Sequence, residues 1–182
     1  MRRTLLLPAA AIALASCGSA AASVPLKTVP TQLAPAAVTA GGTSVAFNLY
    51  SPATKRFANA GSSSMVADGR LWQIRTSSTL VGTLEIATFK PKVDLYKKSE
   101  RQQIISLVMP GSFITTTVDG VQVATSPTPD VNLYLWFGKQ MFEVLQARTK
   151  GVDPKALLGA IIAYQKPSGQ LLPSSVTSRN SG

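Results

Sequence analysis

The residue types that do most protein chemistry are scarce in this chain. Its 182 residues include no histidine and a single cysteine, Cys17. Lacking histidine, it lacks both the commonest general base and the commonest metal ligand. It contains no Gly-x-Ser-x-Gly elbow, no Ser-x-x-Lys pair and no Gly-x-x-x-x-Gly-Lys phosphate loop. Gly41-Gly42 does not lead into a strand-turn-helix unit. Eight carboxylates remain. Of these, Glu85 and Glu143 stand inside apolar runs, Leu84-Glu85-Ile86 and Phe142-Glu143-Val144. On neighbouring strands they could form the paired carboxylates of glycoside hydrolysis, about 5 Å or about 6.5–9.5 Å apart. The alternative is that each lies on a solvated or helix-free face and pairs with a cross-strand Lys or Arg. No catalytic residue, metal ligand or cofactor is assigned on this basis.

Two other groups of side chains are candidates for binding. The aromatics Trp72, Tyr134, Trp136, Phe137 and Phe142 are dense, and aromatics in hairpins usually form core. In Leu133-Tyr134-Leu135-Trp136-Phe137, however, both faces of the strand are apolar. Helices would cover one face, and the first strand, a second sheet, an apolar ligand or a partner protein the other. A large open apolar face marks an interaction site. The second group is basic: Lys90, Lys92, Lys97, Lys98 and Arg101, interrupted by Asp94 and Glu100. Trp72, Tyr134, Trp136, Lys97, Lys98 and Arg101 are therefore the candidate surface for a ligand or partner. No recognition motif joins the basic residues to stacking aromatics, so nucleic acid is not an expected partner.

The elements that would position these residues follow from periodicity and turn chemistry. Val45 to Tyr50 alternates as a strand, and Asp68-Gly69 reads as a turn. Leu71 to Arg75 and Leu80 to Phe89, joined by Thr76-Ser77-Ser78-Thr79, predict a hairpin. Ser99 and Gln102 fit a capping box opening a helix through Ile104, Ile105, Val108 and Met109, which Pro110-Gly111 ends. A second hairpin turns at Asp119-Gly120, with Pro127 and Pro129 breaking the chain after it. A third turns at Gly138-Lys139. Asp153 at the N-cap and Pro154 at the first position open a last helix, with Val152 able to staple onto Leu157. Its apolar stripe is Leu157, Leu158, Ile161, Ile162 and Tyr164, and Pro167 stops it. Short links demand antiparallel pairing, so the expected fold is α+β: an antiparallel sheet built from hairpins with two helices packed on it. The hairpin-helix units at 70–109 and 131–165 could be a degenerate duplication.

The N-terminus supplies a location. Arg2 and Arg3 precede an apolar run from Leu5 to Leu14 that is too short to span a bilayer, which needs about 20 apolar residues. Leu14-Ala15-Ser16-Cys17 resembles the lipobox of bacterial lipoproteins. That resemblance, confined to about twenty residues, implies removal of residues 1–16 and acylation of Cys17, with two or three chains. Stable anchoring takes more than one. With Cys17 acylated, no thiolate is left for a zinc site or a Cys-His nucleophile, and the exported domain must be stable without a disulfide.

Removing Arg2 and Arg3 leaves a formal charge of about +8, which favours anionic surfaces such as phospholipid headgroups or wall polymers. Residues 18–43, rich in Ala, Pro, Thr, Ser and Gly, read with Cys17 as a flexible tether (17–43), 44–166 as one domain, and 167–182 as a disordered tail. The expected function is a membrane-anchored envelope lipoprotein, exported and facing the periplasm or cell exterior. Its domain is not an enzyme and contacts another envelope component, a protein or an anionic lipid or polymer. The alternatives are a carrier of a lipid or small apolar ligand, signalled by a cavity beside Tyr134 and Trp136, and a carboxylate-based hydrolase.

Overall fold

The computed structural model describes residues 26–50 and 65–175. Cys17, the leader 1–16, the first part of the expected tether and residues 176–182 lie outside the described residues. Eight strands run β1 Ala37–Ala40, β2 Thr43–Tyr50, β3 Val66–Thr76, β4 Thr79–Phe89, β5 Ile114–Val118, β6 Val121–Pro127, β7 Val131–Phe137 and β8 Met141–Arg148. Helix α1, Lys98–Val108, falls between β4 and β5, and α2, Pro154–Gln165, follows β8. All strands join one antiparallel sheet in the order β1-β2-β3-β4-β8-β7-β6-β5. The fold is thus α+β, as the hairpin signals require.

Local chemistry explains most elements. Asp119 and Gly120 both have positive φ, 48° and 83°, the backbone that a two-residue hairpin turn needs to match strand twist. Ser77 and Ser78 link Thr76 to its partner Thr79. At α2, the Asp153 carboxylate accepts the N–H groups of Lys155 (2.9 Å) and Ala156 (3.3 Å), with Pro154 at the first turn. Each satisfies part of what a helix terminus or reversal leaves unpaired.

The sheet is covered unequally on its two faces. One face presents Phe47, Trp72, Ile74, Leu84, Tyr134, Trp136 and Leu145 to α2, whose Leu157, Leu158, Ile161 and Ile162 are buried against it. The incoming segment adds Val29, Leu33 and Ala34 to the same core. The other face presents Ala87, Leu135, Phe137, Phe142 and Val144 to Ile104 of α1, with Leu95 and Leu172. Every residue of this second cluster on β4, β7 and β8 lies toward the Gly138 end of its strand.

Several expectations are corrected. Residues 26–43 are not tether: Val29, Leu33 and Ala40 are buried, Thr31–Leu33 forms a 3-10 turn, and β1 pairs with β2. Residues 167–175 are not tail, because Leu172 is buried and isolated bridges join Gly138 to Leu171 and Val121 to Pro173. Asp68-Gly69 is not a turn but part of β3 beside an irregularity between Val66 and Asp68, and the Asp68 carboxylate accepts the N–H of Val29 at 2.8 Å. Pro127 does not break the chain, since it still pairs with Asn132 at the end of β6.

The helix over 98–108 has Lys97 at its N-cap without a side-chain cap, so the Ser99-Gln102 box is not formed. Tyr164 is 46% exposed and leaves the apolar stripe of α2. The duplication fails too. Superposing β3–β4 on β7–β8 across the antiparallel β4–β8 pair keeps the sheet's faces, yet α1 and α2 lie on opposite ones.

Candidate functional site

The paired-carboxylate reading depends on register, and the register overturns it. β4 and β8 are indeed neighbours, with Ile86 opposite Glu143 and Glu85 opposite Val144. Side chains alternate between faces along a strand, so a one-residue offset sends the two carboxylates to opposite sides of the sheet. Glu143 points into the α2 core, 1% exposed. It accepts a hydrogen bond from Gln165 Nε2 (2.5 Å), and that amide also donates to the Leu33 carbonyl (3.0 Å). The Trp136 indole N–H donates to Gln165 Oε1 at 3.4 Å. Burial pushes the Glu143 carboxyl up to about 8, against the opposing pull of hydrogen bonds from Gln165 and Trp136. Neither cross-strand pairing with a cation nor a solvated face describes it. Glu143 ties the second helix and the incoming chain to the sheet centre. Glu85, on the other face, is also buried.

The aromatic candidates are core. Trp72, Tyr134 and Trp136 are 4%, 3% and 0% exposed, in one cluster with α2. What covers the second face of the aromatic strand is therefore the protein's own helix. The three are corrected as surface residues, and the apolar-carrier reading loses the observation that suggested it. Arg101 is corrected likewise. It is buried, and its Nη1 donates to the carbonyls of Leu95 (2.7 Å) and Tyr96 (2.9 Å). Burial lowers its pKa and the charge of Asp94 partly offsets that. Glu100 turns back to accept the N–H of Asp94 at 2.6 Å. The two residues clamp loop 90–97 onto α1. Lys97 and Lys98 are exposed, Lys97 lying 3.8 Å from Glu100.

The surface offers hollows at the two ends of the central strands. One, of about 320 Å³, lies at the Gly138 end between Phe89, Lys90, Asp94, Tyr96, Lys139 and Gln140. The other, of about 520 Å³, is lined by Thr79, Leu80, Val131, Arg148, Thr149 and Lys150 with Asp130. It adjoins a third, of about 210 Å³, through shared Leu80, Val131 and Arg148, which extends it over Gly82, Thr83 and Gln146. The resulting groove runs onto the α1 face where α1 does not reach. The buried Thr83 hydroxyl beneath it has no hydrogen-bond partner among the described residues. From Met141 to Arg148, β8 rises about 3.3 Å per residue, which separates the two ends by roughly 23 Å.

Sequence reasoning missed Arg148, Lys150 and Lys139, because Lys139 is single and Arg148 and Lys150 form only a pair beside a turn, too few to read as a charge run. No group of three or more His, Cys, Asp or Glu that could hold a metal occurs among the described residues. No helix among them is long and apolar enough to cross a membrane. Compared with protein-family models, curated proteins and solved structures, the chain gives no match.

Proposed function

We propose that this protein is a membrane-anchored envelope lipoprotein, acylated at Cys17, whose domain is a non-enzymatic binding module for another envelope component. The groove beside Leu80, Val131, Arg148 and Lys150 is its contact surface. The observation that carries the reading is the β4–β8 register. It separates Glu85 from Glu143 in a chain with no histidine, and the groove then stands as a hollow of mixed character on an uncovered part of the sheet. Leu80 and Val131 supply apolar area, and Arg148 and Lys150 positive charge. A concave patch with a few convergent polar groups suits one defined partner better than diffuse attraction to an anionic polymer.

Site-specific photo-crosslinking in intact cells tests this. A crosslinker replacing Lys150 is expected to give one discrete adduct, abolished by Arg148→Glu, while one replacing exposed Tyr164 on α2 gives none. Equal, diffuse labelling from both positions would contradict a groove-specific contact.

A further inference from the structure

The described fold begins at the Gly138 end of the strands. The backbone N–H of Leu26 donates to Gln140 Oε1, and Val29 follows on Asp68. Nine chain steps separate Leu26 from Cys17. Fully extended they reach about 30 Å, and as a flexible coil about 15–18 Å. A domain of this size has a radius of gyration of roughly 14 Å. A tether shorter than the domain's own width fixes which end meets the surface that holds Cys17.

That end is basic. Lys27, Lys90, Lys92 and Lys139 are all exposed there. Lys90 and Lys139 both line the 320 Å³ hollow, as does Tyr96, 44% exposed. Asp94 also lines the hollow, its carboxylate accepting the N–H of Tyr96 at 3.0 Å. Lysines around an amphipathic aromatic at a concave site match the chemistry of a phospholipid headgroup layer, whose phosphates attract basic side chains within a screening length.

We propose that the Gly138–Gln140 end is a membrane-docking surface that seats anionic phospholipid headgroups between Lys90 and Lys139 and turns the Arg148 groove outward. The proposal rests on acylation of Cys17 for its geometry, though the lysine surface can be read without it.

The test uses the full chain purified from membranes and reconstituted into phosphatidylcholine vesicles with or without phosphatidylglycerol, at low salt. Lysine acylation rates are read by mass spectrometry together with the mass at Cys17. With phosphatidylglycerol, Lys90, Lys92 and Lys139 are expected to react at least about threefold more slowly, Lys150 and Lys155 being unchanged, and 1 M salt should erase the difference. Lys90→Glu with Lys139→Glu should lose protection of Lys92 while the chain still floats with the vesicles. Equal rates in both lipids, or protection centred on Lys150, would overturn the proposal. An unacylated Cys17 with the three lysines still protected would sink the anchor and keep the docking surface.

Discussion

The two ends of the central strands come from one sheet but are finished differently. At the Gly138 end, the incoming chain, loop 90–97, α1 and the segment 166–173 all converge. Gly138 N–H bonds Met141 O, Lys139 N–H bonds Gln170 O, and Leu172 N–H bonds Phe137 O. At the Arg148 end, α2 covers one face, and among the described residues no helix covers the other. On the α2 face the incoming segment Val29, Leu33 and Ala34 adds to the helix, whereas the α1 face relies on a helix much shorter than the strand. β4 has 11 residues, roughly 36 Å, whereas the 11 residues of α1 rise only about 16 Å. A helix that begins beside the Gly138 end cannot cover such a strand, and the uncovered half becomes the groove. One end is closed by packed segments, and the other carries the groove for which partner contact is proposed.

Truncations should expose that contrast most strongly. Trp136→Ala, at a fully buried site, is expected to cost about 3–5 kcal/mol. Val131→Ala, at the half-buried groove, should cost under about 1 kcal/mol, by chemical denaturation of both. Similar costs would mean that the open end is as structural as the closed one.

Next in size is a pH effect. The Glu143 carboxyl titrates near 8 when folded and near its ordinary value of 4.5 when unfolded. Between those values the folded state holds the extra proton, so stability is full below about 4.5 and is lost as pH rises to about 8. The slope is at most about 1.4 kcal/mol per pH unit, and Glu143→Gln should flatten it. Denaturation midpoints at pH 5, 6.5 and 8 for both chains decide this. A slope unchanged by the substitution would place the titrating group elsewhere.

Leu172→Ala removes one strap of the closed end and should cost about 2–4 kcal/mol without altering crosslinking from position 150. At the small end of the range, Arg148→Glu with Lys150→Glu should move stability by no more than about 0.5 kcal/mol and still abolish the groove adduct. Loss of both stability and adduct would leave the groove without a separate role.

The sequence made the hairpins and α2 legible because their signals are local: Asp119-Gly120, Gly138-Lys139 and Asp153-Pro154 act within a few residues. The ends of the domain were hidden for the opposite reason. Leu33 and β1, with Ala40, meet α2 more than a hundred residues away, Val29 bonds Asp68 from 39 residues away, and Leu172 has only Leu171 beside it among Gln, Pro and Ser, so none forms a periodic pattern. Glu85 and Glu143 show how a site misleads. Their strands were placed correctly, but a single-residue offset decides the face, and sequence carries no reading of cross-strand register. The strand 133–137 is two-faced as its pattern requires, and its covers are α2 over Tyr134 and Trp136 and Leu95, Ile104 and Leu172 over Leu135 and Phe137. Charge runs misled similarly, because Arg101 satisfies carbonyls of its own loop while Arg148, outside any charge run, lines the groove.

Membrane anchoring, on which the proposed function rests, depends on Cys17. The direct measurement is the intact mass and N-terminal peptide of the mature chain recovered from membranes. It should begin at Cys17 and carry acyl chains, and Cys17→Ala should abolish both the mass and membrane retention. A mature chain with an unmodified N-terminus, found in the soluble fraction, would contradict it.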